Sequence, residues 1–121
     1  MTAPVLDFAS LQVRDLETSR AFYTEVLGFH IADERREGAV VFKDAGGAIF
    51  AIRTPLVDLS ASPKLGWGAG LWFGVGDPDA LHDRALAAGA LVLHPPQDGP
   101  FGRMFVLADP DGYALTFHAR G

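Results

Sequence analysis

Cysteine does not occur in this 121-residue chain. Its absence excludes a disulfide framework, a thiolate nucleophile, a thiolate metal site and a dithiol redox motif, and with them several enzyme classes. No apolar stretch approaches the ~18 residues that span a bilayer, and the start, MTAPVLDF, has no basic segment leading into an apolar run. Long blocks of one charge are also missing: 15 acidic against 10 basic residues leave a formal net charge of −5 and no basic stripe for phosphate backbones. These gaps predict a soluble cytoplasmic protein with no nucleic-acid or membrane partner. The acidic surface either steers a cationic small molecule or serves ordinary solubility.

What is present is repetition. The stretch LADPDGYALTFH near the end has a looser counterpart in FKDAGGAIFAIR. In both, an acidic turn closing on glycine, Asp109 to Gly112 and Asp44 to Gly47, leads into a short alternating strand. Two helices repeat in the same way. RDLETSRAFYTEVLGF has Asp15 as N-cap, an apolar stripe of Leu16, Ala21, Phe22, Val26 and Leu27, and Gly28 as the stop, which predicts about three turns. GDPDALHDRALAAGA matches it in design and length, with Asp77 as cap, Pro78 at the first helical position, Leu81, Ala85 and Leu86 as the stripe and Gly89 as the stop.

Strands are expected at 5–13, 29–35, 38–43 and 48–54, then at 68–75, 91–94, 102–108 and 113–118, giving the order βαβββ twice. The caps stand 62 positions apart (77 − 15), the stops 61 (89 − 28) and the turn glycines 65 (112 − 47). Three independent marks at one spacing indicate an internal repeat. The expected organisation is one domain over 1–121, with a first repeat at 4–54, a Pro/Ser/Gly-containing linker at 55–67 and a second repeat at 68–119. One such unit is too small to bury both faces of its sheet, so two units are expected to pack together, within the chain or across a dimer.

The segments LQVRDLETSRAFYTEVLGF and DPDGYALTF resemble the first strand and helix and the final hairpin of the vicinal oxygen chelate superfamily, which includes glyoxalase I, bleomycin-resistance proteins, fosfomycin-resistance enzymes and extradiol dioxygenases. The resemblance spans nearly the whole chain. It implies an α+β fold in which two βαβββ repeats form a curved mixed sheet around a cup-shaped pocket. In the family's enzymes a divalent metal sits in the cup, held by His, Glu or Gln from four strands. Carried onto this sequence, the ligand positions are Phe8, Ala51, Gly70 and Thr116, which keep the repeat spacing (70 − 8 and 116 − 51). None is a strong ligand, so no metal and no cofactor are expected, and the metal-assisted chemistry is not expected either.

Strand parity assigns the rest. Phe8, Ser10 and Gln12, then Ile49, Ala51 and Arg53, then Gly70, Trp72 and Gly74, then Ala114, Thr116 and His118 are expected to line the cup. The more uniformly apolar alternates, Leu11, Val13, Phe50, Ile52, Leu71, Phe73, Val75, Leu115 and Phe117, belong under the helices. Trp72 between glycines offers a stacking face for a ligand, or else fills the space of the missing metal. Arg53 could clamp an anionic group or pair with a carboxylate. Trp67 is a candidate for the pocket rim or a dimer contact, and Phe101 and Arg103, in QDGPFGRMF, resemble the family's mobile segment over the pocket. His30, His82 and His94 are read as surface or edge histidines, with His82 on the exposed side of its helix.

The expected function is a metal-free small-molecule-binding protein of the bleomycin-resistance type, sequestering an aromatic or cationic antibiotic or metabolite, with binding favoured over catalysis and the question of an enzyme left open. The expected ligand-binding set is Phe8, Ser10, Gln12, Arg53, Trp67, Trp72, Phe101, Arg103, Thr116 and His118. The alternative is a metal-independent isomerase or lyase with His118 as general base. A third reading is a structural module whose cup is closed by Phe8 and Trp72. The related proteins imply a two-fold homodimer, to which the weakly charged edge strands FASLQV and AGLWFG would contribute.

Overall fold

In the computed structural model the chain is described over residues 3–4, 6–32, 37–43 and 49–120. The turn expected at 44–47 lies outside these residues. Asp15 ends an extended segment and its carboxylate accepts a hydrogen bond from the Thr18 N–H at 3.1 Å. That satisfies one of the helix's unpaired amides and starts α1, Leu16–Ala21. Asp77 does the same for the Ala80 N–H at 3.1 Å and starts α2, Pro78–Ala87.

The first helix differs from the expected three uniform turns. After Ala21 it widens into a π-helical turn, Phe22–Val26, closed by the Leu27 N–H donating to the Phe22 carbonyl at 3.1 Å. Both helices then stop at a left-handed glycine, Gly28 (φ 85°) and Gly89 (φ 87°). From cap to stop the first helix is one residue longer than the second, and the π turn absorbs that residue. This is why the caps repeat at 62 and the stops at 61.

The helix faces also need correction. In the first helix the buried residues are Ser19, Tyr23 and Leu27, spaced by four, rather than a stripe centred on Phe22. In α2 Ala85 is fully buried while Leu86, one step around the helix, is 53% exposed. His82, expected on the solvent side, turns its ring edge-on to Phe105 at 5.5 Å, and its Nδ1 lies 2.9 Å from Asp83 Oδ1.

The chain forms two compact units, Met1–Leu59 and Ser60–Gly121. In the first, β1 (Phe8–Gln12), β2 (Ala39–Phe42) and β3 (Ile49–Arg53) make a sheet in the order β1-β3-β2. Of the strand expected at 29–35, Ile31 bridges Phe42, and 33–36 lie outside the described residues. In the second unit β4 (Leu71–Val75), β5 (Leu91–Gly99), β6 (Gly102–Ala108) and β7 (Ala114–Ala119) make a sheet in the order β4-β7-β6-β5. β5 runs through Pro95 and Pro96 well past the expected 91–94. It is an edge strand, where proline is tolerated, and its ladder with β6 shifts register twice, between Val92 and His94 and between His94 and Gln97.

Both sheets are mixed. The first strand of each unit runs parallel to the last, with Ser10 beside Ala51 and Trp72 beside Thr116. The repeat spacing read from punctuation is therefore the spacing of the ladders. Alternation then separates the faces. On the helix side of the first unit Val13, Phe42, Phe50 and Ile52 are buried, and Tyr23 stacks on Phe42 with ring centroids 5.5 Å apart. On the helix side of the second unit Phe73, Phe117 and Phe105, one ring from each of three neighbouring strands, stack at 5.4 Å intervals.

The segment expected to be a linker is fastened at both ends. Gln12 Oε1 accepts from the N–H groups of Leu56 (2.7 Å) and Val57 (3.3 Å), and a 3₁₀ turn at Leu59–Ala61 buries Leu59. Leu65 is buried in the second unit, where Gly66 lies against Tyr113. No helix of the described residues is long and apolar enough to cross a membrane.

Two outcomes follow. Gly66 (φ 68°) and Gly89 (φ 87°) both occupy left-handed backbone, but a Cβ on Gly66 would stand 2.6 Å from the Tyr113 ring whereas one on Gly89 meets nothing within 4 Å. Gly89→Ala should cost the backbone term alone, about 1–2 kcal/mol, and Gly66→Ala a further ~1–3 kcal/mol of overpacking. Urea unfolding of the two variants measures the difference, and equal losses would contradict the contact. The Thr18 N–H, meanwhile, holds the Asp15 carboxyl below its ordinary 3.8. A lowered folded-state value means stability that is present above about 3.8 and is lost as pH falls through the folded value. The stability of wild type relative to Asp15→Asn should accordingly decline below about pH 4; a difference flat from about pH 5 to 2 would show that the cap does not titrate as described.

Candidate functional site on the open face of the second sheet

With one face of each sheet occupied by its helix, the other face is where function must be sought. In the second unit that face carries two rungs: Trp72, Thr116 and Val106 across β4, β7 and β6, then Gly74, His118 and Met104. Trp72 is 49% exposed although it sits mid-strand. The indole leans over Gly70, where a Cβ would stand 3.4 Å from Trp72 Nε1. Phe101, at the tip of the hairpin joining β5 to β6, meets the Trp72 ring edge-on at 5.9 Å, and His118 lies 6.0 Å from it at a 57° tilt. Two rings thus flank a third that is half exposed.

Of the residues expected at the site, Trp72, Phe101, Thr116 and His118 are brought together. Arg103 is not among them. It shares a side with Phe105, toward α2, and its guanidinium forks onto Asp79 (Nε to Oδ2 3.1 Å, Nη2 to Oδ1 3.2 Å) and reaches Asp98 at 3.4 Å. The Asp79 hydrogen bonds raise its pKa further, so it stays charged. Arg103 fastens the hairpin to the helix. Trp67 is likewise engaged elsewhere: its Nε1–H donates to the Gly112 carbonyl at 3.2 Å and Lys64 Nζ sits 4.7 Å from its ring centroid. The turn it covers is built by Asp109, whose buried carboxylate accepts from the N–H groups of Asp111 and Tyr113, each at 2.9 Å.

The remaining candidates belong to the first unit. Phe8 and Ser10 are exposed, Ala51 is buried, and Arg53 donates from Nε to the Thr54 carbonyl at 3.1 Å. Gln12 holds the chain leaving β3, which is a structural task. The side chain of Ile49 lies outside the description. Besides Val106, sequence reasoning missed Met104 and Arg120. Arg120 lays its stem over Gly74, with Cβ, Cγ and Cδ each 3.5 Å from where a Cβ would be. Parity would have found both, since 116, 118 and 120 alternate along β7 and 104 faces 118.

The fold's usual divalent metal does not fit these residues. Phe8, Ala51 and Gly70 offer no side-chain donor, Thr116 offers one neutral hydroxyl, and the space over Gly70 is taken by the Trp72 indole. Among the described residues no three of His, Asp or Glu gather closely enough to hold a metal ion.

Comparison with known proteins agrees with the topology. Two curated relatives, the anthracycline biosynthesis proteins DauV of Streptomyces sp. (strain C5) and DnrV of Streptomyces peucetius, are each 30% identical over 120 residues, covering 88% of this chain. The chain spans 44% of their length. Among solved structures, a glyoxylase/bleomycin resistance protein/dioxygenase domain from Frankia sp. EAN1pec is 29% identical with a TM-score of 0.71, over 98% of this chain and 100% of that one. TnmS3, an antibiotic binding protein from Streptomyces sp. CB03234, shares the fold at 24% identity and a TM-score of 0.74, over 100% of this chain and 99% of that one. The Glyoxalase/Bleomycin resistance protein/Dioxygenase superfamily matches residues 5–117, and the chain belongs to it.

Proposed function

We propose that this protein binds a flat aromatic antibiotic or metabolite, without a metal, on the open face of its second sheet. The observation that carries the reading is Trp72: a mid-strand indole with glycine at 70 and 74 and an edge-on Phe101 holding its orientation. A ring laid on it gains roughly 0.5–1.5 kcal/mol beyond area burial. Arg120, on the same face, disfavours a cationic ligand by like charge. The reading is supported by relatives named for anthracycline biosynthesis and by a structure of the same fold described as an antibiotic binding protein.

The catalytic alternative, His118 as general base in an isomerase or lyase, has weaker support. The partner of its Nδ1 is the neutral Ala119 carbonyl, 3.2 Å away, and among the described residues no carboxylate bonds to the ring. An imidazolium formed by proton abstraction would lack a compensating charge. The proposal includes a homodimer, because β1 and β4 are sheet edges without a charged side chain.

Anthraquinone-2-sulfonate should quench tryptophan fluorescence saturably in wild type and in Trp67→Phe, and at least ~10-fold more weakly, by roughly 1.4 kcal/mol, in Trp72→Ala. Elemental analysis should find well under one metal per chain. Quenching untouched by Trp72→Ala, or one metal retained per chain, would overturn the proposal. Sedimentation should give a dimer at micromolar concentration, and a monomer there would remove the dimer from it.

A further inference from the structure

His118 lies with Thr116 beside the platform, and the hydrogen bond of its ring indicates which of its nitrogens carries the proton. Nδ1 stands 3.2 Å from the Ala119 carbonyl oxygen. A carbonyl only accepts, so the neutral ring holds its proton on Nδ1 and keeps a lone pair on Nε2. Nε2 is the distal atom of the ring. Among the described residues it meets no hydrogen-bond partner, and no buried side-chain nitrogen there lacks one, so Nε2 is open to solvent.

The ladder partners do not compete for that lone pair, although Thr116 and Arg120, whose stem lies over Gly74, share the face. Across the ladder His118 faces Gly74 and Met104, which have no side-chain donor. The indole N–H of Trp72 leans the other way, over Gly70. The face therefore presents an aromatic platform with an imidazole acceptor at its edge, ring centroids 6.0 Å apart. A ligand that sets an acceptor or a purely apolar edge against Nε2 would leave that lone pair without water or partner.

We infer that the ligand is a hydroxyarene: a flat ring system that stacks on Trp72 and donates a phenolic O–H to His118 Nε2. The inference rests on the reading of Trp72 as the stacking platform. It assigns His118 a binding role, in which its anchoring by the Ala119 carbonyl selects for ligands that donate at that edge.

The test pairs 2-naphthol with 2-methoxynaphthalene, which keep the ring and differ in the donor. Titrated against the full chain, 2-naphthol should bind about 3- to 10-fold more tightly than the ether, relative to the ratio in His118→Phe, the size of one net hydrogen bond. A long-range ¹H–¹⁵N spectrum of the ligand-free protein should show His118 as the Nδ1–H tautomer, with the Nε2 resonance moving when 2-naphthol is added; this measurement and the wild-type comparison need no variant. An Nε2–H tautomer overturns the inference, as does a preference that persists in His118→Phe. Equal affinities with binding still dependent on Trp72 overturn it and leave the platform standing. Failure of both compounds to bind, together with no quenching by the quinone, overturns the platform and the inference together.

Discussion

In each unit the first and last strands run parallel, Ser10 beside Ala51 and Trp72 beside Thr116, and those two ladders decide what every other side chain can do. Because strand residues alternate, fixing one pair fixes both faces. The set that includes Phe117 and Leu115 goes under α2 and is buried, which leaves Trp72, Thr116 and His118 on the other side. A one-residue slip of β7 would put His118 beneath the helix and Phe117 in water. The cost of burying an unpartnered imidazole and the loss of the stack from Phe73 to Phe105 both oppose it.

The two units satisfy this constraint with different side chains. In the first, the rung Leu11, Ile52 and Val40 is aliphatic while Phe50 and Phe42 pair with ring centroids 5.0 Å apart. In the second the order is reversed: Phe73, Phe117 and Phe105 form the aromatic rung, and Leu71, Leu115 and Leu107 the aliphatic one. Each unit holds one bulky and one slimmer rung under its helix, so the volume there is similar although the positions are exchanged. Close packing penalises a changed total more than a changed arrangement.

Much of this was legible because caps, stops and alternation are local properties. Asp15, Asp77, Gly89 and Gly112 each reveal a conformation through their own chemistry, and the 62- and 65-residue spacings carry directly into the ladder registers. The discrepancy of one residue between cap and stop spacing was also visible, and it marks the π turn at Phe22–Val26. What could not be read were partners. Parity says which way Gln12 or Arg103 leaves its strand only once the register is known. It says nothing of a backbone N–H arriving from 44 residues away at Leu56, or of Asp79 on the neighbouring helix. His82 was misplaced for the same reason, since its contact with Phe105 depends on how α2 is rotated over the sheet.

Under the proposed metal-free reading, an indole in place of a metal changes what such a face would discriminate. Four convergent ligands demand a charged or chelating substrate, whereas a ring platform with a histidine beside it would select by flatness and by single hydrogen bonds. Selection of that kind requires a platform that does not reorganise, because each side chain ordered on binding subtracts from the affinity gained. Trp72 has two side-chain torsions and is in contact with both Gly70 and Phe101. Phe101 is itself at a hairpin tip and 68% exposed, so its order must come from elsewhere in the hairpin. Arg103, two residues on, supplies it by forking onto Asp79 of α2 and reaching back to Asp98 on the opposite strand. A residue on the helix side of the sheet thereby supports the hairpin that carries the ring on the open side, and under the proposed reading its influence on binding would pass through the order of that hairpin.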